Sequence, residues 1–411
     1  MKLRPWLIWG CAGLFYLYEM ILRASPGVIA KDLMSDFGVA STALGVLSSC
    51  YYYSYVALQI PCGVIVDRLG ARQVVTYSTL LCVLGSLLFA YSESLWGGQI
   101  GRFLIGAGSA CAFLSCLKIG SEWFIPAQFA MIAGLTNMMG TIGGMVSGPP
   151  FAILSNTLGW RHATLLAAGI GIVLAVICWA IMRDKQQELT ESEISLIQGL
   201  GRVARDPFNW IIAAVGGLMY ITIFAFCELW AVPFLMEKYQ ISNEIASRAS
   251  IMVYLGIAVG SPLAARLSNY LNNPVRVMGL SSLTTAALFM TAIQFNSITY
   301  QLMLGVLFLT GVANAGQVMC FAAVKENVPN RLSGTAAGFT NAIVMMSGII
   351  FQPLLGVILD IVWQGQLNGD GSRYYGPETY QTAMMMIPLC FVIGWLLLHF
   401  SGRKQIACDN V

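Results

Sequence analysis

A few ionisable and aromatic side chains stand where an apolar sequence should have none. Tyr16, Glu19 and Arg23 fall at i, i+3 and i+7 within the apolar run 6–30, a spacing that puts them on one helix face and makes Glu19 and Arg23 an i,i+4 pair. Lys118 lies in the run 97–122, and Glu228, followed by Trp230, in 208–236. An ionisable group near the centre of a spanning helix costs about 2.5–3.5 kcal/mol, so each is a functional candidate by default. Arg23, by a bidentate contact, and Lys118 suit a carboxylate or phosphate. Glu19 and Glu228 suit an amine, or carry a proton, because burial brings the charged and neutral forms of a carboxyl closer in energy. Each has a plainer reading beside it. Glu19 and Arg23 can simply neutralise each other, Glu228 can bond a neighbouring backbone, and Lys118 can snorkel towards the membrane surface. Trp230 either stacks on a solute or sits in an interfacial belt. Tyr51, Tyr52, Tyr53 and Tyr55, with Asn137, Asn314, Gln317, Asn341 and Gln352, are further candidates, each equally suited to joining helices.

The elements that carry these residues follow from composition. Of 411 residues 57% are hydrophobic and 10% charged, with a mean hydropathy of +0.72; a soluble domain carries about 25% charged residues. Runs of roughly 20 apolar residues, enough to cross a membrane, recur at 6–30, 40–66, 73–94, 97–122, 128–155, 161–182, 208–236, 245–268, 274–294, 298–324, 333–361 and 378–400. This predicts an all-α integral membrane protein of about twelve transmembrane helices in two six-helix bundles, 1–182 and 208–411, joined by a linker at 183–207. Within the linker, Thr190 to Glu193 fits a capping box, and Leu189, Ile194, Leu196 and Ile197 give the following helix an apolar side. Fourteen Lys and Arg fall on the side of the termini and linker against five on the other, so both termini are expected in the cytoplasm of a cell with an inner membrane. The run 6–30 is too long for a signal-peptide core and reads as a retained first helix.

Several classes are disfavoured. A net charge of +3 without a Lys/Arg cluster gives no footprint for nucleic acid. The eleven cysteines form no CxxC pair; Cys11, Cys82, Cys111, Cys116, Cys178, Cys320 and Cys390 lie in apolar runs and read as small packing residues. His162 and His399 sit at segment ends, so no metal or cofactor is expected, and no HExxH or GxSxG string points to an enzyme.

The loop after the second run reads Gly63-Val-Ile-Val-Asp67-Arg68-Leu-Gly70-Ala-Arg72. It resembles the signature of the major facilitator superfamily, in which this loop latches the cytoplasmic side. Gly63 would permit close helix contact, Gly70 a tight turn, and Asp67 could accept hydrogen bonds at a neighbouring helix N-terminus. Arg102-Phe-Leu-Ile-Gly106 resembles a second pattern of that family, and Gly140, Gly143, Gly144, Gly148, Pro149 and Pro150 resemble its glycine-rich fifth helix. The resemblance implies two related bundles with substrate bound between them near the midplane, and the first and seventh helices facing each other across the cavity. Glu228 would then look into the space that holds Glu19 and Arg23. Tyr18-Glu19 with Arg23-Ala-Ser25-Pro26, Lys118 ahead of Trp123-Phe124, and Glu228-Leu-Trp230 also resemble bacterial intraphagosomal amino-acid importers and lysosomal dipeptide carriers. Charges of both signs fit a zwitterion better than a sugar. The expected function is therefore secondary active transport of a small-molecule substrate, an amino acid or short peptide, with proton coupling through Glu19 and Glu228. Carriage of an organic anion, siderophore or nucleoside stays open. A monomer surrounded by membrane lipid is the expected assembly.

Overall fold

Each polar or turn-forming break in the apolar pattern becomes a helix end. The computed structural model describes residues 3–125, 128–184, 196–295, 297–329, 332–369 and 371–408, with backbone only at Ile60, Val64, Asp67, Ala130, Leu196, Ile197 and 401–408. The capping box at Thr190 to Glu193 lies outside the described residues.

The first span is α1 (Leu3–Ala24), ending in a 3-10 turn at Ser25–Gly27. A short helix, α2 (Ala30–Phe37), then turns at Gly38 (φ 60°) into the second span, α3 (Ser41–Leu69). The third is α4 (Ala71–Tyr91). The fourth breaks into α5 (Leu95–Ser109) and α6 (Ala112–Trp123), and the fifth into α7 (Phe129–Val146) and α8 (Pro149–Leu158). Pro149 and Pro150 open α8, where a missing N–H costs nothing. The sixth span is α9 (Trp160–Ile181), and the linker ends in α10 (Leu196–Ala204).

The second half repeats this order. The seventh span runs through α11 (Pro207–Ile221), a π-helical segment at Thr222–Trp230, and α12 (Ala231–Tyr239). Then come α13 (Asn243–Leu271), α14 (Pro274–Gln294), α15 (Tyr300–Asn314) breaking through Ala315–Val318 into α16 (Met319–Glu326), α17 (Ser333–Ile361), and α18 (Pro377–Met384) with α19 (Met386–Cys408). Among the described residues ten runs are long and apolar enough to cross a membrane, and α2 with α3, bent by 112°, makes an eleventh. The α7–α8 pair, interrupted at Gly148, occupies the stretch expected as the fifth run. First and seventh spans both change helical type, and fourth and tenth both break, as related halves should.

The halves meet closely on the side away from the termini, the far side. There α3 lies backbone to backbone on α17: a Cβ at Gly45 would stand 2.6 Å from the Gln352 carbonyl oxygen, and one at Gly356 2.4 Å from that of Ser41. The first turn of α3 has no side-chain cap of its own. The other half supplies it: Thr42 N donates to Asp360 Oδ2 (2.9 Å) and Ser41 N to the Tyr375 hydroxyl (3.2 Å). Arg373 and Tyr375 hold the other oxygen of Asp360, Lys31 pairs with Glu237, and Asn156 donates to Asn243 at 2.8 Å. Orphan N–H groups at a helix start must be satisfied by something. Here their partners sit on the opposite bundle, so separating the halves on this side exposes them.

The cysteine expectation needs one correction. Cys62 and Cys111 are disulfide-bonded, with Cα atoms 5.4 Å apart. Cys111 caps the break between α5 and α6, and that break presents it to α3.

Candidate functional site

Arg23 is the last residue but one of α1, and its place is fixed by Arg102. Gly106 lets α5 come up against α3, since a Cβ there would sit 1.9 Å from the Tyr51 carbonyl oxygen. Arg102, one turn earlier, is thereby carried to the end of α1 and donates to the carbonyls of Leu22 (2.7 Å) and Arg23 (3.2 Å). Those carbonyls lose their helical partners where α1 ends, and a cation is the favourable cap. The Arg-xxx-Gly pattern thus does a definite job, buttressing the segment that presents Arg23.

Arg23 does not pair with Glu19. Its Nε and Nη2 both reach Glu228 Oε1 at 2.9 Å, across the interface between the halves. Tyr52 donates to the other oxygen of Glu228. Tyr51, the preceding residue, donates to Glu19 Oε2 at 2.8 Å. Glu19 Oε1 is buried with no hydrogen-bond partner, and no ion pair to Glu19 occurs among the described residues. The expected i,i+4 pair is corrected because α1 gives way to a 3-10 turn just after Arg23, next to the π-helical segment that offers Glu228. The Arg23 guanidinium also lies over the Phe224 ring at 5.4 Å, and Phe224 packs on Tyr52 and Tyr220. Glu19 and Glu228 are both 0% exposed and Arg23 4%. The result is two carboxyls, the Arg23 guanidinium and two phenols buried at the interface between the halves, with one carboxyl oxygen lacking a hydrogen-bond partner.

The other expected residues fall elsewhere. Tyr16 is buried on α1, its ring 5.6 Å from Phe113. Lys118 makes an ion pair with Glu122 (3.2 Å), one turn along its own helix. Trp230 is completely buried and donates to the Gln352 carbonyl at 3.1 Å, a strut within the second half. Tyr51 and Tyr52, two of the four tyrosines crowded in this stretch of α3, are the ones that hold the carboxyls. Successive residues on a helix point about 100° apart, and this lets neighbouring tyrosines serve carboxyls on two different spans.

The latch loop is built differently from expectation. Gly70 takes φ 81°, which favours glycine, and a Cβ there would collide with the Asp184 carboxylate. Asp184 accepts from Arg72 N at 2.9 Å and so caps α4, the task expected of Asp67, whose side chain lies outside the described residues. Arg72 stacks on Trp179 at 4.1 Å and donates to its carbonyl. Arg68 is exposed, and a Cβ at Gly63 would meet nothing within 4 Å, so no close contact there requires glycine. The loop is fastened to the end of α9 in its own half.

Comparison with known proteins agrees with this fold. The chain is 24% identical over 424 residues to a lysosomal dipeptide transporter of Homo sapiens, covering 96% of this chain and 84% of that one. It is 22% identical to a hexuronate transporter of Bacillus subtilis (strain 168), over 82% of this chain and 84% of that one. Its fold matches the crystal structure of a bacterial homolog to the human lysosomal transporter Spinster, in an inward-facing and unoccupied conformation, with a TM-score of 0.85, 16% identity and 98% of both chains covered. Residues 8–351 and 229–407 match the family model of the Major Facilitator Superfamily. With its spans arranged in two bundles and the Arg23–Glu228 pair where those bundles meet, the protein belongs to the Major Facilitator Superfamily of membrane transporters.

Proposed function

We propose that this transporter is a secondary carrier of a small zwitterion, an amino acid or short peptide, working by alternating access and coupled to protons through Glu19 and Glu228. It acts in an inner membrane with both termini cytoplasmic, the halves 1–182 and 208–411 rocking about the linker 183–207. The observation that carries this reading is the Arg23–Glu228 pair bridging the halves beside Glu19 and its unpartnered oxygen. A buried ion pair is costly to break unless a ligand replaces both partners. A zwitterion does so: its carboxylate takes Arg23, and its ammonium takes the released Glu228 or Glu19. An anion replaces only one partner and leaves a carboxylate stranded unless a proton follows. The dipeptide transporter named above, matched along nearly the whole chain, supports the zwitterion; the hexuronate transporter marks the competing anion reading.

The test is thermal stabilisation of the detergent-purified protein by amino acids, dipeptides, organic acids and nucleosides, since a ligand that binds only the folded state raises Tm by mass action. Zwitterions are expected to raise it, by about 2.7 kcal/mol of added stability at a hundred times Kd. Stabilisation by organic acids alone would replace this reading with an anion carrier.

The two carboxyls are expected to separate in function. Glu19 has a free oxygen and no cation in ion-pair distance, so Glu19→Gln should flatten the pH profile of uptake while leaving solute binding measurable. Glu228→Gln should weaken zwitterion binding as well, because the solute ammonium loses an anionic partner beside Arg23. A pH profile unchanged in both variants would exclude proton coupling at this site.

A further inference from the structure

The register of Glu228 is set by an unusual helical segment. Thr222–Trp230 is π-helical, with hydrogen bonds five residues apart instead of four. Such segments make up well under 1% of residues. An α-helix turns about 100° per residue. Closing the wide turns to α geometry would therefore rotate one end of this segment against the other by roughly that angle, carrying Glu228 out of line with Arg23 and Tyr52.

Two side chains from other spans hold backbone oxygens of the segment. Gln352 of α17 donates Nε2 to the Phe224 carbonyl at 2.6 Å, and Ser250 of α13 donates to the Cys227 carbonyl at 3.2 Å. Trp230 Nε1 donates back to the Gln352 carbonyl, so residue 352 clasps the segment near its start and at its end. Gln352 is buried, and its Oε1 has no hydrogen-bond partner, so the side chain is placed for the one bond it donates. The same residue lies at the closest approach of the halves, its carbonyl filling the space above Gly45 of α3.

We propose that Gln352 is a positioning residue for the transport site: its bond to the Phe224 carbonyl keeps Thr222–Trp230 π-helical and so aims Glu228 at Arg23. Ser250 has the same role with a weaker hold. Because Gln352 also abuts α3, parting α3 from α17 to open the far side disturbs the residue that sets the register of Glu228. Opening and release of the ion pair are thus mechanically joined. The inference rests on the reading of Arg23 and Glu228 as part of the transport site.

The experiment is a double-mutant cycle on the full chain, reading both Tm and uptake of the solute found by thermal shift. Gln352→Leu should lower uptake about tenfold, the expectation for losing one buried hydrogen bond, and should lower Tm. In a Glu228→Gln background the same change should add little to either, because residues acting through one another are not additive. Equal losses in both backgrounds would reduce Gln352 to packing and overturn the proposal. If Gln352→Leu cannot be purified, Ser250→Ala enters the same cycle with a smaller loss, about threefold, and Ser250→Thr should restore it; additivity there overturns the proposal equally. Full uptake by Glu228→Gln alone would defeat the transport-site reading, and the Tm cycle would still decide whether Gln352 positions Glu228.

Discussion

Arg23→Ala should abolish uptake, destabilise the protein, and recover most of that stability when Glu228→Gln is added. The guanidinium and the carboxylate neutralise each other in an interface where both are buried. Removing one member of such a pair costs about 3–5 kcal/mol, much of it the penalty of leaving the other charge stranded. Glu228 would keep only the Tyr52 hydroxyl. The second substitution removes the stranded charge and leaves an amide that still accepts from Tyr52, so the double variant should melt closer to the parent than Arg23→Ala does. Uptake should not return, because the anion-binding group is still missing. Four purified proteins, melted side by side and reconstituted for uptake, decide the matter. Additive losses in Tm would mean that the pair does not act as a unit, and normal uptake by Arg23→Ala would remove Arg23 from the site.

Much of the fold was legible in the sequence because a membrane imposes a simple rule: backbone groups must bond within the segment, so apolar runs of sufficient length become helices. The twelve expected runs agree with the helices to within a few residues, and the breaks at Gly148 and Gly38 coincide with turn residues. Arg23 and Glu228 were legible as charges in the wrong solvent. Their pairing was less so. An i,i+4 spacing made Glu19 the obvious partner of Arg23, whereas the observed partner is 205 residues away and depends on a local change of helix type that no residue pattern announces. Tyr51 and Tyr52 were hidden for a related reason: four tyrosines crowd one stretch of α3, and only the crossing of α3 with α1 and the π-helical segment selects two of them. Asp184 could not be read as the cap of α4 because it is 112 residues from the amide it accepts. The long-range devices that trim a helix end, whether Arg102, Asp184 or Asp360, are invisible until the bundle is assembled.

Gly45→Ala should nearly eliminate uptake while improving the helix that carries it. Alanine is about 1 kcal/mol better than glycine inside a helix, so α3 gains in isolation. The added methyl, however, would lie 2.6 Å from the Gln352 carbonyl oxygen and 2.7 Å from Pro353 Cα. Both are backbone atoms of α17 and cannot turn aside as a side-chain tip would. The stretch cannot step back freely either, since Gln352 is clasped to Phe224 and Trp230. Overpacking of this kind costs about 1–3 kcal/mol, and only conformations with the far side closed bear that cost. A change of 1.4 kcal/mol moves a two-state equilibrium about tenfold, so the far-side-open state should gain at the expense of the closed one. Spin labels at Asn156→Cys and Asn243→Cys, on a background cleared of other reactive cysteines, would report it: these side chains are in hydrogen-bond contact in the closed form. A longer label-to-label distance with a Tm close to the parent would establish that Gly45 is there for closure and not for folding. An unchanged distance distribution with lost uptake would instead place the damage at Gln352, where the displaced carbonyl pulls the π-helical segment, and Glu228 with it, off Arg23.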